Sequence, residues 1–463
     1  MPLPHPAEAL RRLIPALPLL VAVGCGTEHP PVLLGGQASI YDATPNAFGQ
    51  QAPGLEGERE LLFFVGNSFF NQNWVSAPAS TEARDGLGPL FNARSCAGCH
   101  FRDGRGRPPL TGAERGTGLL LRVSLPGPEG EGVQLPDPVY GGQIQDQSIP
   151  GVPSEARLIV DRMESPGTFA DGSGYVLEEP VYSLADPGYG AFHPALEISP
   201  RVAPQMIGMG LLEAVPEAEI LARADPDDRD GDGISGRPNR VRDHVAGGEA
   251  LGRFGWKAGQ PSVLQQTATA FLEDMGITTH LFPSENCTAM QEACRMAPGG
   301  GRHEIAEDDL MKVVLYASSL AVPAMRDPED TEVVRGSATF DEIGCGQCHL
   351  RTLPTGEHPT IPALSNQTIH PYTDLLLHDM GEALADGRGE FGAAGREWRT
   401  PPLWGIGLIE TVNGHTRYLH DGRARDLSEA ILWHGGEAAP SRDRYRELDG
   451  GERAALLRFL GSL

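Results

Sequence analysis

Positive charge is what this sequence lacks most. Only 37 Lys and Arg stand against 62 Asp and Glu, a formal net charge of −25. Nucleic acid and anionic membrane surfaces would be repelled, so neither is expected as a partner. Long apolar runs are missing as well. The stretch from Leu13 to Val23 falls short of the ~18 apolar residues that a permanent membrane span needs, and no other segment reaches that length. No transmembrane helix is therefore expected. Beyond one short shared motif no internal repeat is visible, which sets aside solenoid and propeller architectures. Cysteine is scarce, at seven in 463 residues, and each one can be given a place.

What is abundant is Gly, at 59, and Pro, at 40. They point to many turns and long irregular connections. A chain of this length suggests roughly two to four domains, and its 40% hydrophobic content is enough to build real cores. Arg11 and Arg12 precede the Leu13–Val23 run, which ends in Ala22-Val23-Gly24-Cys25. This resembles a bacterial lipoprotein signal, with Ala22 where the usual Leu would stand. Residues 1–25 are read as a signal peptide and 26–60 as a Pro- and Gly-rich tether. The expected location is the periplasm, with lipid anchoring through Cys25 as the single link to the membrane.

Residues 61–325 read as an N-terminal domain and 326–463 as a C-terminal one, divided near Pro323 and the charged stretch after it. Short alternating runs from Leu119 to Tyr182, broken by Gly and Pro, predict a β-rich insertion in the first. Helical spacing marks Ala203–Ala222, Leu264–Met275 and Leu310–Leu320. The expected fold class is mainly α, with two cytochrome c-like domains and that β-rich insertion.

Four cysteines fall in two copies of one pattern, Cys96-Ala97-Gly98-Cys99-His100 and Cys345-Gly346-Gln347-Cys348-His349. A given Cys would begin such a pattern by chance with a probability on the order of 5 × 10⁻⁴, before the pattern is read as a haem attachment signal. Two thiols can add across the haem vinyl groups, and the adjacent imidazole can ligate the iron. A zinc site or a dithiol would not need a His directly after each pair. Two covalently bound haem c groups are expected, on Cys96, Cys99 and His100 and on Cys345, Cys348 and His349. Cys287 and Cys294 are expected to close a short disulfide loop, worth about 2 kcal/mol at most.

Around these motifs stand Asp85-Gly86-Leu87-Gly88-Pro89-Leu90-Phe91, Met209-Gly210-Leu211-Leu212-Glu213-Ala214 and Asp230-Gly231-Asp232-Gly233-Ile234-Ser235-Gly236-Arg237. Phe254-Gly255-Trp256-Lys257, Arg399-Thr400-Pro401-Pro402-Leu403-Trp404 and Tyr418-Leu419-His420-Asp421-Gly422-Arg423 follow. Together they resemble the bacterial di-haem oxidoreductase family, distantly similar to the di-haem cytochrome c peroxidases. The resemblance places His434 where those peroxidases carry the second ligand of their electron-transfer haem, a Met. Met380 is the rival ligand, and core packing is its ordinary alternative. The resemblance also implies Trp256 between the haems, Gln266 over an open iron and a catalytic acid at Glu273 or Asp274. The strict match for that acid falls on Gly276, so both carboxylates could equally be ordinary helix-end residues. Met275 could instead ligate the first iron and close the site.

Asp228, Asp230 and Asp232 alternate as in the first half of a calcium loop, with Gly233 at the sharp turn and the Ile234 carbonyl as a further ligand. Asn239 stands where an EF-hand would carry its closing Glu. One calcium ion is expected, and a metal-free acidic turn is the alternative.

The expected function is an exported di-haem oxidoreductase. Electrons from a redox partner protein would enter at the Cys345/Cys348 haem, pass near Trp256, and reduce hydrogen peroxide at the Cys96/Cys99 haem. A non-catalytic electron carrier with both irons six-coordinate is one alternative. A protein-modifying di-haem oxidase is another, which a Tyr ligand would favour, Tyr418 being the nearest candidate.

Overall fold

The computed structural model describes residues 32–110, 112, 118–127 and 134–463. The expected signal peptide and Cys25 lie outside the described residues. The mainly α expectation is corrected: the chain is 31% helix and 19% strand, with its strands spread over many small sheets. The physical reason lies in the punctuation. Proline removes an N–H donor and fixes φ, and frequent Gly and Pro cut periodic segments short. Ala203–Ala222, expected as one helix, is two five-residue helices, Met209–Glu213 and Glu217–Leu221, with Pro216 between them.

Each Cys-x-x-Cys-His motif lies beside a close helix crossing that a glycine makes possible. The helix Glu58–Asn71 packs on Glu307–Ser318, and a Cβ on Gly66 would meet the Lys312 carbonyl oxygen at 2.1 Å. The helix Thr331–Glu342 packs on Gly450–Ser462, where a Cβ on Gly336 would lie 1.9 Å from the Ala455 oxygen. Any larger side chain would force the backbones apart. One hydrophobic cluster, running from Leu34 to Leu463, includes buried residues of both helix pairs, among them Phe70, Tyr316, Phe340 and Phe459.

After a 3-10 turn at Phe101–Asp103, the regular elements among the described residues up to residue 202 are strands. Leu119–Pro126 lies between Gln143–Ile144 and Glu197–Val202, antiparallel to both, with Leu121 opposite Ile144 and Pro200. A long hairpin follows, Arg157–Thr168 on Gly174–Ala185, paired from Arg157↔Ala185 to Thr168↔Gly174. It reaches the C-terminal part of the chain: Glu178 N donates to Glu429 Oε1 and Ala170 N to the Arg446 carbonyl. At its tip Phe169 packs edge-on against Tyr445. Cys287 and Cys294 are joined as a disulfide. No helix among the described residues is long and apolar enough to cross a membrane.

Candidate functional site: one cavity shared by two Cys-x-x-Cys-His motifs

A cavity of about 400 Å³ is lined by all six motif residues: Cys96, Cys99 and His100, and Cys345, Cys348 and His349. The first two cysteines form a single helical turn, Cys96–Cys99, with the His100 amide closing onto the Cys96 oxygen. The second pair starts in a 3-10 turn, Cys345–Gln347. None of these four cysteines is in a disulfide. Burial pushes the thiols of Cys96 and Cys345 up to about 12 and raises those of Cys99 and Cys348.

The ligand tautomer is fixed at both motifs. His100 Nδ1 donates to the Pro204 carbonyl at 2.7 Å and His349 Nδ1 to the Tyr372 carbonyl at 3.0 Å. A carbonyl can only accept, so each Nε2 is left with a lone pair for a metal. Burial lowers the pKa of His100; burial and the neighbouring His434 push His349 down to about 4. Both imidazoles are therefore neutral at pH 7, the form that ligates iron.

Across from His349 stands His434. Asp426 caps the short helix Leu427–Leu432, its Oδ1 accepting from Glu429 N, and His434 follows that helix. His434 Nδ1 donates to the Ala430 carbonyl at 2.7 Å, so its Nε2 is free as well. The ring centroids of His349 and His434 are 6.5 Å apart. Two metal–nitrogen bonds of about 2 Å, plus the offset of each nitrogen from its ring centre, make roughly that distance. Met380 also lines the cavity.

The first motif faces a different wall. The helix Val263–Met275 is started by Ser262, whose Oγ accepts from Gln265 N, and ended by Gly276 at φ +63°. Gln266, Ala270 and Asp274 recur four apart and line the cavity with Thr267 and Met275. Gln143 Nε2 donates to Asp274 Oδ1 at 2.9 Å, and burial pushes the Asp274 carboxyl up to about 6. Glu273 does not line the cavity; its carboxylate pairs with Arg122. Of the two acids left open by the sequence, Asp274 is the one on the cavity wall. Trp256 lines the same cavity, its Nε1 donating to the Val202 carbonyl at 2.7 Å. His100 has no second imidazole stacked or tilted against it among the described residues; its ring neighbour is Phe70, at 6.3 Å.

Asp228, Asp230 and Asp232 are exposed and bring one carboxylate oxygen each within 4.8 Å of the others. Gly233 has φ +86°. Asn239 is turned away into the core, where its Nδ2 donates to the Lys257 and Glu390 carbonyls. Ile234 lines the cavity. Next to it, Ser235 Oγ donates to Glu437 Oε1 at 2.6 Å, and His378 lies between Glu437 and Asp374, 2.7 and 2.8 Å from their oxygens. Its Nδ1 is 3.7 Å from Cys348 Sγ. Burial works against a charge on His378, but the bonds to Asp374, Cys348 and Glu437 outweigh it and hold the imidazole well above its ordinary pKa.

Sequence reasoning missed His378 and a second group on the cavity wall. His420 stacks on Trp398, with ring centroids 3.7 Å apart, and burial pushes it down to about 3. The buried Lys257 ammonium is 4.1 Å from the centre of the Trp398 ring. His420 lies inside the Tyr418–Arg423 segment and His378 two residues before Met380, yet nothing in their spacing announces these partners. Tyr418 lines the cavity too, and burial raises its phenol to about 12.

Two neutral His ligands, four thiols and a shared cavity define a protein that holds two metal-centred prosthetic groups. The comparison with families says which class: residues 32–125 and 156–463 match the family described as "Di-haem oxidoreductase, putative peroxidase", and the chain belongs to it. It is a di-haem oxidoreductase and binds two haems. No curated protein matches. Among solved structures, a chain of Kuenenia stuttgartiensis hydrazine synthase, pressurised with xenon, is similar over 98% of this chain and 100% of its own. Its identity is 16% and its TM-score 0.34, too low to carry an argument.

Proposed function

We propose that this di-haem oxidoreductase is an exported c-type cytochrome that reduces hydrogen peroxide at the haem of Cys96, Cys99 and His100. The reading rests above all on the asymmetry of the two sites: an imidazole faces His349, and none among the described residues stacks or tilts against His100. The thiols of Cys96 and Cys99, and of Cys345 and Cys348, would hold the haems as thioethers. His349 and His434 would both ligate the second iron, with Met380 packing nearby. A haem iron with an open position binds a small oxidant and passes it electrons, whereas one with two strong ligands only relays them.

The chain's own groups then have definite tasks. Peroxide takes up two electrons and two protons to give two waters. The Asp274 carboxyl, on the cavity wall and shifted toward neutrality, can accept a proton from the bound oxidant and return it to the leaving oxygen. Gln266 supplies a neutral polar side chain on the same helix face. The Trp256 indole lines the cavity that both motifs share, and between the two haems it would shorten the path from one to the other. Electrons would come from a redox partner protein at the second haem. Three of the ligands of a calcium ion would be Asp228, Asp230 and Asp232, with the Ile234 carbonyl a fourth. Export to the periplasm is supported by the Cys287–Cys294 disulfide, which suits an oxidising compartment.

The test is stopped-flow mixing of hydrogen peroxide with the half-reduced holoprotein, with calcium present. Consumption of one peroxide per two electrons, at the first haem's absorbance bands, is expected. Haems inert to peroxide in every redox state would make the protein an electron carrier.

A further inference from the structure

Five arginines line the shared cavity: Arg105, Arg122, Arg201, Arg399 and Arg442. Three of them meet carboxylates. Arg122 pairs with Glu273, Arg201 with Glu390 at 2.9 Å, and Arg442 with Asp443 at 2.9 Å. Arg105 and Arg399 do not. Arg105 Nε donates to the Arg417 carbonyl at 2.6 Å and its Nη2 to the Leu419 carbonyl. Arg399 Nε donates to the Gly255 carbonyl at 2.9 Å and its Nη1 to the Thr400 carbonyl at 3.2 Å. Among the described residues, neither guanidinium forms an ion pair.

Both side chains are buried, at 4% and 7% exposure. A carbonyl satisfies an N–H but carries no charge, and an isolated buried cation is costly. Burial pushes each guanidinium down to about 10, still charged at neutral pH. A guanidinium has five N–H groups, and each of these two spends two on carbonyls. What remains open is bidentate recognition of a carboxylate.

The two arginines flank Trp256. The Arg105 guanidinium carbon is 5.4 Å from the centre of the Trp256 ring, and Arg399 N donates to the Trp256 carbonyl at 2.8 Å. Arg105 follows His100 by five residues. Arg399 sits with the second motif's surroundings, since Thr400 N donates to the Leu376 carbonyl and Asp374 is the carboxylate that acts on Arg399.

We propose that Arg105 and Arg399 each bind a propionate carboxylate of the two haems, Arg105 on the His100 side and Arg399 on the His349 side. This rests on both haems occupying the shared cavity. Asp421 acts on Arg105 and Asp374 on Arg399 without forming an ion pair; the directly paired anions then belong to the cofactors, and the two propionate-bound cations flank Trp256. Because a cation beside a propionate disfavours the oxidised, more positive iron, each arginine raises the potential of its own haem.

The test uses mature holoprotein carrying R105Q, R399Q, R105K or R399K. Haem content is counted first, and both potentials are then measured by spectroelectrochemistry. Each Gln variant is expected to keep two haems and to lower one potential, the first haem's in R105Q and the second's in R399Q. Each Lys variant should recover part of the shift. Gln variants with two haems and wild-type potentials would overturn the proposal. If a Gln variant fails to fold, infrared difference spectra of wild type with ¹³C-labelled propionates decide. Ionised carboxylates at neutral pH are expected, and protonated ones would overturn it. Fewer than two haems in wild type would instead fault the reading of two occupied sites.

Discussion

His349 looks across 6.5 Å at His434, whereas among the described residues no imidazole stacks or tilts against His100, and the helix Val263–Met275 brings Asp274 within electrostatic reach of Cys96 and Cys99. The five-residue pattern is the same in both places. So is the hydrogen bond from Nδ1 to a backbone carbonyl that leaves Nε2 free. What differs is the element opposite. The second site meets a short capped helix followed by an imidazole; beside the first lies a longer helix that offers an amide, a half-buried carboxyl and a thioether. On the proposed reading, identical motifs would serve two tasks, and the surrounding elements would set which.

Removing His434 should have the largest effect. H434A is expected to turn the second haem from low-spin to high-spin and to move its potential by on the order of 0.1 V or more, since axial ligands shift haem potentials widely. Optical and magnetic circular dichroism spectra check this. An unchanged second haem would erase the difference between the sites.

Next comes the pair of acids at the first site. D274N is expected to slow peroxide turnover by roughly 10²–10⁴-fold, the usual range for a proton-transfer group. E273Q, which breaks the ion pair with Arg122 but removes no group from the cavity wall, should cost less than about tenfold. Steady-state kinetics on both variants decide, and the reverse order would move the acid to Glu273.

The first site also leans on a group that titrates. Glu155 is buried and accepts from Gln145 N and Gln291 Nε2, while Gln145 and Gln143 brace the end of the Val263–Met275 helix. Burial pushes Glu155 up to about 8 from an ordinary value of 4.5. The folded state thus binds this proton more tightly than the unfolded one. Its contribution is complete below about 4.5, falls as pH rises, and is gone above about 8, at most a few kcal/mol in all. Thermal melts should show that decline in wild type and a flatter profile in E155Q.

The smallest effect is expected at Met380. M380A should leave the second haem low-spin and destabilise the fold by roughly 1–3 kcal/mol, as loss of a partly buried Met does. A high-spin second haem in this variant would make Met380, and not His434, the ligand.

The two motifs were legible because their chemistry is local: five consecutive residues carry thiols and imidazole together. The disulfide was legible for the same reason. The nearness of His434 to His349 was suggested by its position after Tyr418–Arg423. The mainly α expectation failed because helical spacing at Ala203–Ala222 outweighed Pro216 within it, and because short strands in separate small sheets leave little periodic trace. Glu273 and Asp274 are adjacent in sequence. Which one reaches the cavity depends on how far the helix is rotated against the strand that carries Arg122. The roles of His378, Arg105 and Arg399 depend on partners distant in sequence, or on partners the chain does not contain, so no local pattern could reveal them.

Electron paramagnetic resonance of the mature holoprotein, fully oxidised and then half-reduced, is the direct test of the asymmetry. One low-spin haem with two His ligands and one high-spin haem, the latter in at least one of the two states, is the predicted result. Two low-spin haems in both states would contradict it and close the first site.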